Sequence, residues 1–208
     1  MQKLLDGIVK FRRTDFEAHK ELFSQLKKDQ KPHTLFITCC DSRIDPNRIT
    51  GTLPGEMFII RNIANIVPPY RVTDEYVATT SAIEYAVLSL DVDNIIVCGH
   101  SNCGGCSAVL NPSEKLTNLP HTHKWLELAE PVREQVLSLH GHECEEAIGW
   151  IMEQTNVIEQ LKHLMSFPFI KERVLAGSLA VSGWYYIIET GEIYIYDKET
   201  SEFLLANG

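Results

Sequence analysis

The stretch NIIVCGHSNCGGCS, residues 94–107, opens with five mostly apolar residues rich in β-formers. It then packs one histidine, two cysteines and three glycines into the nine positions of GHSNCGGCS, 99–107. NIIVC is too short for a helix and reads as a buried strand, and polar chemistry placed directly after a strand is how α/β proteins build sites. Two further runs of this kind lie upstream, TLFIT (34–38) and MFIIR (57–61). Between and around them the pattern is helical. A first helix spans 2–12, and Thr14 with Glu17 fits a capping box for a second that carries Phe16, Leu22, Phe23 and Leu26. Asp45 and Pro46 suit the N-cap and first position of a short helix, and 74–90 bears Tyr76, Ile83, Val87 and Leu90 on a third. Residues 122–176 read as mostly helical, with Pro131 near a helix start or kink. LAVSGWYYII (179–188), EIYIYD (192–197) and EFLLA (202–206) are strand-like, the last two forming a hairpin. The alternation predicts an α/β fold: a mainly parallel central β-sheet flanked by helices, with an N-terminal helical arm and a C-terminal β-hairpin. With no repeat or linker, 1–208 is expected to be a single domain, 1–30 as the arm and 31–208 as the α/β core.

Composition narrows the function. The 208 residues are 44% hydrophobic and 23% charged, as in an ordinary globular domain. A net charge of −9 argues against nucleic acid or an anionic membrane as partner, since both demand clustered Lys and Arg. A small or neutral ligand is the expectation. The apolar N-terminal stretch is broken by Asp6 and Gly7 and is too short for a secretory leader, and no eighteen apolar residues run together, so a cytoplasmic location is expected. The six cysteines, two adjacent at 39 and 40 and three crowded at 98–106, suggest thiolate or metal chemistry rather than a disulfide framework.

Three chemistries compete for GHSNCGGCS. Gly99, Gly104 and Gly105 match neither the phosphate-binding nor the dinucleotide spacing, and they read as a tight strand-to-helix turn. A redox pair at Cys103 and Cys106 stays open, but it leaves His100 and the second thiol-rich turn, ITCCDSR (37–43), unexplained. Zinc accounts for both turns, because two strand ends of one parallel sheet bring Cys39, His100 and Cys103 to its carboxyl edge. Three protein ligands leave a position for water, which points to hydrolytic or hydration chemistry. Cys106, one turn into a helix, is expected to point away from the metal, and Cys40 to the opposite side from Cys39. Cys40, Cys98, Cys106 and Cys144 are each read as small buried hydrophobes. Asp41 and Arg43, two and four positions beyond Cys39, form a dyad in which the guanidinium keeps the carboxylate ionised as a hydrogen-bond acceptor.

C-C-D-S-R (39–43), P-G-E-M-F-I-I-R-N-I-A-N (54–65), G-H-S-N-C-G-G (99–105) and S-G-W-Y-Y-I-I-E-T-G (182–191) together resemble the β-class carbonic anhydrases, and among them the plant-like branch, over nearly the whole chain. The resemblance implies a zinc lyase that reversibly hydrates carbon dioxide to bicarbonate and a proton by attack of zinc-bound hydroxide. It implies one Zn2+ per chain on Cys39, His100 and Cys103, with Asp41 and Arg43 catalytic. It also implies a substrate pocket of Gln30, Phe58, Ile63, Tyr85 and Gly104, with Phe58 and Tyr85 supplied by an adjoining subunit. The expected assembly is a homodimer or a dimer-based tetramer with active sites at the subunit interface. In the bicarbonate-regulated branch a tryptophan takes the place of Phe36, so the phenylalanine argues against that regulatory site. The same zinc chemistry acting on carbon disulfide, or a zinc or thiol sensor closed by Cys106 or Cys40, are the competing readings. His33, His121 and His123 read as surface histidines, so no proton shuttle is assigned.

Overall fold

Strands form where β-branched and aromatic residues run unbroken, and in this computed structural model, which describes residues 1–206, the most apolar of them lie at the centre of one sheet. Strands β1 (Thr34–Cys39) and β3 (Asn94–His100) have neighbours on both sides, which is why they read as continuous runs rather than alternating ones. With β2 (Met57–Asn62), β4 (Ala180–Tyr186), β5 (Ile193–Asp197) and β6 (Glu202–Leu205) they give a six-stranded sheet in the order β2-β1-β3-β4-β5-β6. The first four strands are mutually parallel. β5 and β6 return antiparallel as the expected hairpin, so the sheet is mixed.

The chain divides into two compact units, Met1–Lys31 and the remainder from Pro32. The first holds α1 (Gln2–Arg13), α2 (Asp15–Ala18) and α3 (Lys20–Gln25). Phe16 stacks on Phe23 with ring centroids 5.2 Å apart, and Phe11 meets both edge-on. The expected capping box is not formed. Thr14 ends α1, and its hydroxyl donates back to the Lys10 carbonyl at 2.9 Å, so it makes no cap bond to the next helix. The second helix is correspondingly short and restarts after His19.

In the second unit α4 (Pro46–Thr50) begins as anticipated, with the Asp45 carboxylate accepting from the Arg48 amide and Pro46 in the first turn. It ends at Gly51 in the left-handed region. The helix expected over 74–90 starts later, as α5 (Ala78–Glu84), and finishes in a π-helical turn at Tyr85–Ser89. After β3 come α6 (Gly104–Leu110), α7 (Glu114–Thr117), α8 (Pro120–Leu126), α9 (Glu130–His140), α10 (Glu145–Leu164) and α11 (Pro168–Leu175). Pro131 lies in the first turn of α9, where its missing N–H costs nothing. No helix among the described residues is long and apolar enough to cross a membrane.

One contact positions the site. A side-chain carbon at Gly99 would stand 2.6 Å from Val157 Cγ2, and one at Gly183 would stand 2.9 Å from Val157 Cγ1 and 3.0 Å from Leu161 Cδ1. The two glycines, on adjacent strands, thus leave a bare patch onto which α10 settles. Apolar residues of both sheet and helices make one core cluster there. A second cluster gathers Cys39, Ala64, Ile66, Cys103 and Cys106 with Val109, Leu126, Val132 and Met152.

Candidate metal centre

The register β1 to β3 pairs Thr38 with Cys98, so Cys39 ends β1 level with Gly99 and His100 follows one residue further, both at the carboxyl edge of the sheet. The chain then turns through Asn102, whose φ of 56° is left-handed, and Cys103 becomes the residue capping α6. The tight turn is therefore made by Asn102, a residue type that tolerates this region, and not by the neighbouring glycines. One ligand atom from each of Cys39, His100 and Cys103 lies within 4.8 Å of the others, and all three side chains are buried.

This donor set fits a cation. His100 Nδ1 lies 3.0 Å from the Ser101 carbonyl, which places the proton on that nitrogen and leaves Nε2 as the lone-pair donor. Among the described residues His100 Nε2 is buried with no hydrogen-bond partner, a condition that protein interiors rarely tolerate. The thiols tell the same story. Contact with Cys103, then burial, pushes the Cys39 thiol up to about 12, and contact with Cys106 raises Cys103 above its usual range. Two thiols so close resist becoming two thiolates unless a divalent cation is shared between them. Two sulfurs and one imidazole are zinc-type ligands, and a set of three leaves one position open.

Asp41 sits beside the ligands, its Oδ2 4.0 Å from His100 Nε2. Arg43 grips it through three bonds: the backbone amide and Nε to Oδ1, each at 2.9 Å, and Nη2 to Oδ2 at 2.7 Å. That fork holds the Asp41 carboxyl well below the usual carboxylate range. Arg43 Nη2 also donates to the Asn102 carbonyl at 2.9 Å, tying the dyad to the ligand loop.

The carbonic anhydrase family model matches residues 34–193. The chain belongs to the β-carbonic anhydrase family. It is 41% identical to a carbonic anhydrase of Helicobacter pylori strain J99, over 95% of this chain and 90% of that one. It is 40% identical to one from Synechocystis, over 98% and 74%. Among solved structures, the β-carbonic anhydrase CcaA superposes with a TM-score of 0.94 at 40% identity, over 99% of both chains. One of two tetrameric β-carbonic anhydrases from Sordaria macrospora gives 0.82 at 31% identity, over 93% of this chain and 95% of that one.

The remaining expected site residues fall into three groups in this β-carbonic anhydrase fold. Ile63 and Gly104 lie near the ligands. Gly104 opens α6 at Cys103, and a side-chain carbon on its neighbour Gly105 would strike Ala64 Cβ at 2.8 Å and Ile63 Cγ2 at 3.1 Å. The Ile63–Asn65 turn is strained, with Ala64 and Asn65 at φ of 61° and 48°. It is held by Trp125 Nε1 donating to the Ile63 carbonyl and Asn156 Nδ2 to the Ala64 carbonyl, each at 2.9 Å. Phe58 and Tyr85 form a second group, tilted together with centroids 5.9 Å apart. Phe58 pairs with Leu35, four positions before Cys39 on β1. That is about 13 Å down the sheet from the ligands at the usual rise per residue. Tyr85 is 46% exposed and so is open to a partner. Gln30 belongs to the N-terminal unit.

Two of the four buried-thiol expectations are corrected. Cys98 and Cys106 are buried, but Cys40 and Cys144 are exposed. Cys40 follows the strand end and so faces away from buried Cys39, and Cys144 precedes α10 in a polar turn. Cys106 is outside the convergent set of ligands, yet it is not remote, since its side chain contacts that of Cys103. Two residues near the centre escaped the sequence reading. Arg61 donates to the backbone carbonyls of Cys39 at 3.0 Å and Asp41 at 2.6 Å, and Glu153 accepts from the Cys103 amide at 2.7 Å.

Proposed function

We propose that the protein reversibly hydrates carbon dioxide to bicarbonate and a proton, using one zinc ion per chain held by Cys39 Sγ, His100 Nε2 and Cys103 Sγ. The observation that carries this reading is the convergence of those three buried atoms beside a carboxylate locked by Arg43. When bound, zinc supplies a strong Lewis acid that brings the ionisation of water near neutral pH, which gives the nucleophile that hydration needs.

The chain's own residues do the rest. Ionised Asp41 can only accept a hydrogen bond, so at this position it selects a proton-bearing nucleophile and fixes its direction. Arg43 keeps Asp41 charged and stationary. The Gly104 amide, at the start of α6, has no partner within the helix and is available to a substrate oxygen. Ile63 supplies apolar wall beside it. Phe58 lies too far down its own sheet to serve its own centre, and Tyr85 packs against it, which supports their lining the pocket of a second copy. The active species is then a homodimer or a tetramer built from dimers; the two Sordaria relatives are tetrameric. Six free cysteines favour action in the reducing cytoplasm.

The test is a stopped-flow hydration assay on zinc-loaded protein at pH 7–9, with zinc measured per chain. Turnover well above the buffer rate with one zinc per chain is expected. The buffer rate alone overturns the reading.

A further inference from the structure

The peptide group joining Asn102 to Cys103 is bonded at both ends. Its carbonyl accepts from Arg43 Nη2 at 2.9 Å, and its N–H donates to Glu153 Oε1 at 2.7 Å. The other Glu153 oxygen accepts from the Tyr185 hydroxyl at 2.6 Å. Glu153 is 7% exposed and Tyr185 fully buried. No lysine or arginine forms a salt bridge with Glu153 among the described residues, and the cation across the peptide is Arg43. The arrangement is assembled from three distant parts of the chain. β3–β4 register sets Tyr185 opposite Gly99, and the missing side chain of Gly99 lets α10 bring Glu153 up to the ligand loop.

The same helix shows what a merely structural hold looks like. One and two turns beyond Glu153, Asn156 donates to the Ala64 carbonyl at 2.9 Å and Gln160 accepts from the Val67 amide at 2.8 Å. Both use neutral amides. Only at the residue that carries a ligand sulfur does α10 present a carboxyl group, the most costly acceptor to bury.

We propose that Glu153 and Tyr185 are positioning residues of the metal centre: together they clamp the Asn102–Cys103 peptide and so fix the Cys103 sulfur relative to the Arg43–Asp41 dyad. The inference rests on the zinc reading of the site. It assigns neither residue any contact with substrate.

Zinc affinity, measured by competition with a chromogenic chelator, and the visible spectrum of the cobalt-substituted protein read the clamp independently of turnover. Glu153→Gln is expected to weaken zinc about 10–100-fold, the usual cost of losing an outer-shell partner, and to shift the cobalt bands. Tyr185→Phe keeps the carboxylate and is expected to act in the same direction by roughly 3–10-fold. The double variant is expected to be no weaker than Glu153→Gln alone, because the pair acts as one unit. If Glu153→Gln does not fold, Tyr185→Phe decides. Parental affinity and unchanged cobalt bands in a folded variant overturn the proposal, even where melting temperature falls. Failure of the parental protein to hold zinc removes the reading of the site and the clamp with it, a result distinct from parental binding with indifferent variants.

Discussion

Asp41 and Glu153 both reach the ligand loop through hydrogen bonds, but from opposite surroundings. Asp41 lies at the rim, and its charge is secured by a guanidinium two residues along the chain. Glu153 lies in the interior, where burial raises its carboxyl and the Tyr185 hydroxyl and the Cys103 amide only partly offset this. Proximity to the same loop therefore does not give two carboxyl groups the same work. The rim carboxylate is a dependable acceptor beside the three candidate ligands, its Oδ2 4.0 Å from His100 Nε2. The buried one faces the back of a ligand, where it can hold but not react.

The largest expected effect belongs to neither carboxylate. Cys39→Ser or Cys103→Ser is expected to lose zinc and with it all catalysed hydration, as metal analysis and stopped-flow rates would show. Next comes Asp41→Asn, which keeps the side chain's size but adds donors where an acceptor is needed. It is expected to retain one zinc per chain while kcat/KM falls about 100–1,000-fold, the scale of losing one well-placed polar group in an active site. An Asp41→Asn protein with full activity would erase the functional half of the contrast with Glu153.

The contrast also explains what could be read from the sequence. Asp41 and Arg43 are visible because their partnership is local: Cys39, Asp41 and Arg43 fall within five consecutive residues, and only one further short motif, His100 to Cys103, is needed. The strands were equally legible, since β1 and β3 are central and so uniformly apolar. Glu153 was not, because it is one of several glutamates on a long helix, and nothing in α10 marks the one that turns inward. Its role appears only once Gly99 has admitted the helix and β4 has supplied Tyr185. Residues such as Thr14 and Cys40 failed for a related reason: local pattern suggested a cap and a buried thiol, while the end of a helix and the end of a strand decided otherwise.

A smaller effect separates the two sides of the loop. Gly99→Ala sets a carbon 2.6 Å from Val157 Cγ2, so α10 or Val157 must give way. The cost expected is about 1–3 kcal/mol, that of overpacking a tight core. Because α10 carries Glu153 but not Asp41, the variant is expected to weaken zinc binding while the Asp41–Arg43 geometry survives. A crystal structure with α10 unmoved and parental zinc affinity would show that Gly99 serves packing alone.

The smallest effect is on stability, and its sign follows from the dyad. Asp41's carboxyl is more acidic in the folded protein than in the unfolded chain, chiefly through the Arg43 side chain. The pair's contribution is therefore fully present above the unfolded value, near pH 4, and is lost as pH falls toward the lower folded value. Arg43 is open to solvent, so screening keeps the contribution small. Melting curves of zinc-free Asp41→Asn and parental protein are expected to differ by about 1–2 °C at pH 7 and to converge below about pH 4. An Asp41→Asn protein more stable than the parent at pH 7, with the gap closing in acid, would mean that burial, not Arg43, governs Asp41, and would place it with Glu153 rather than against it.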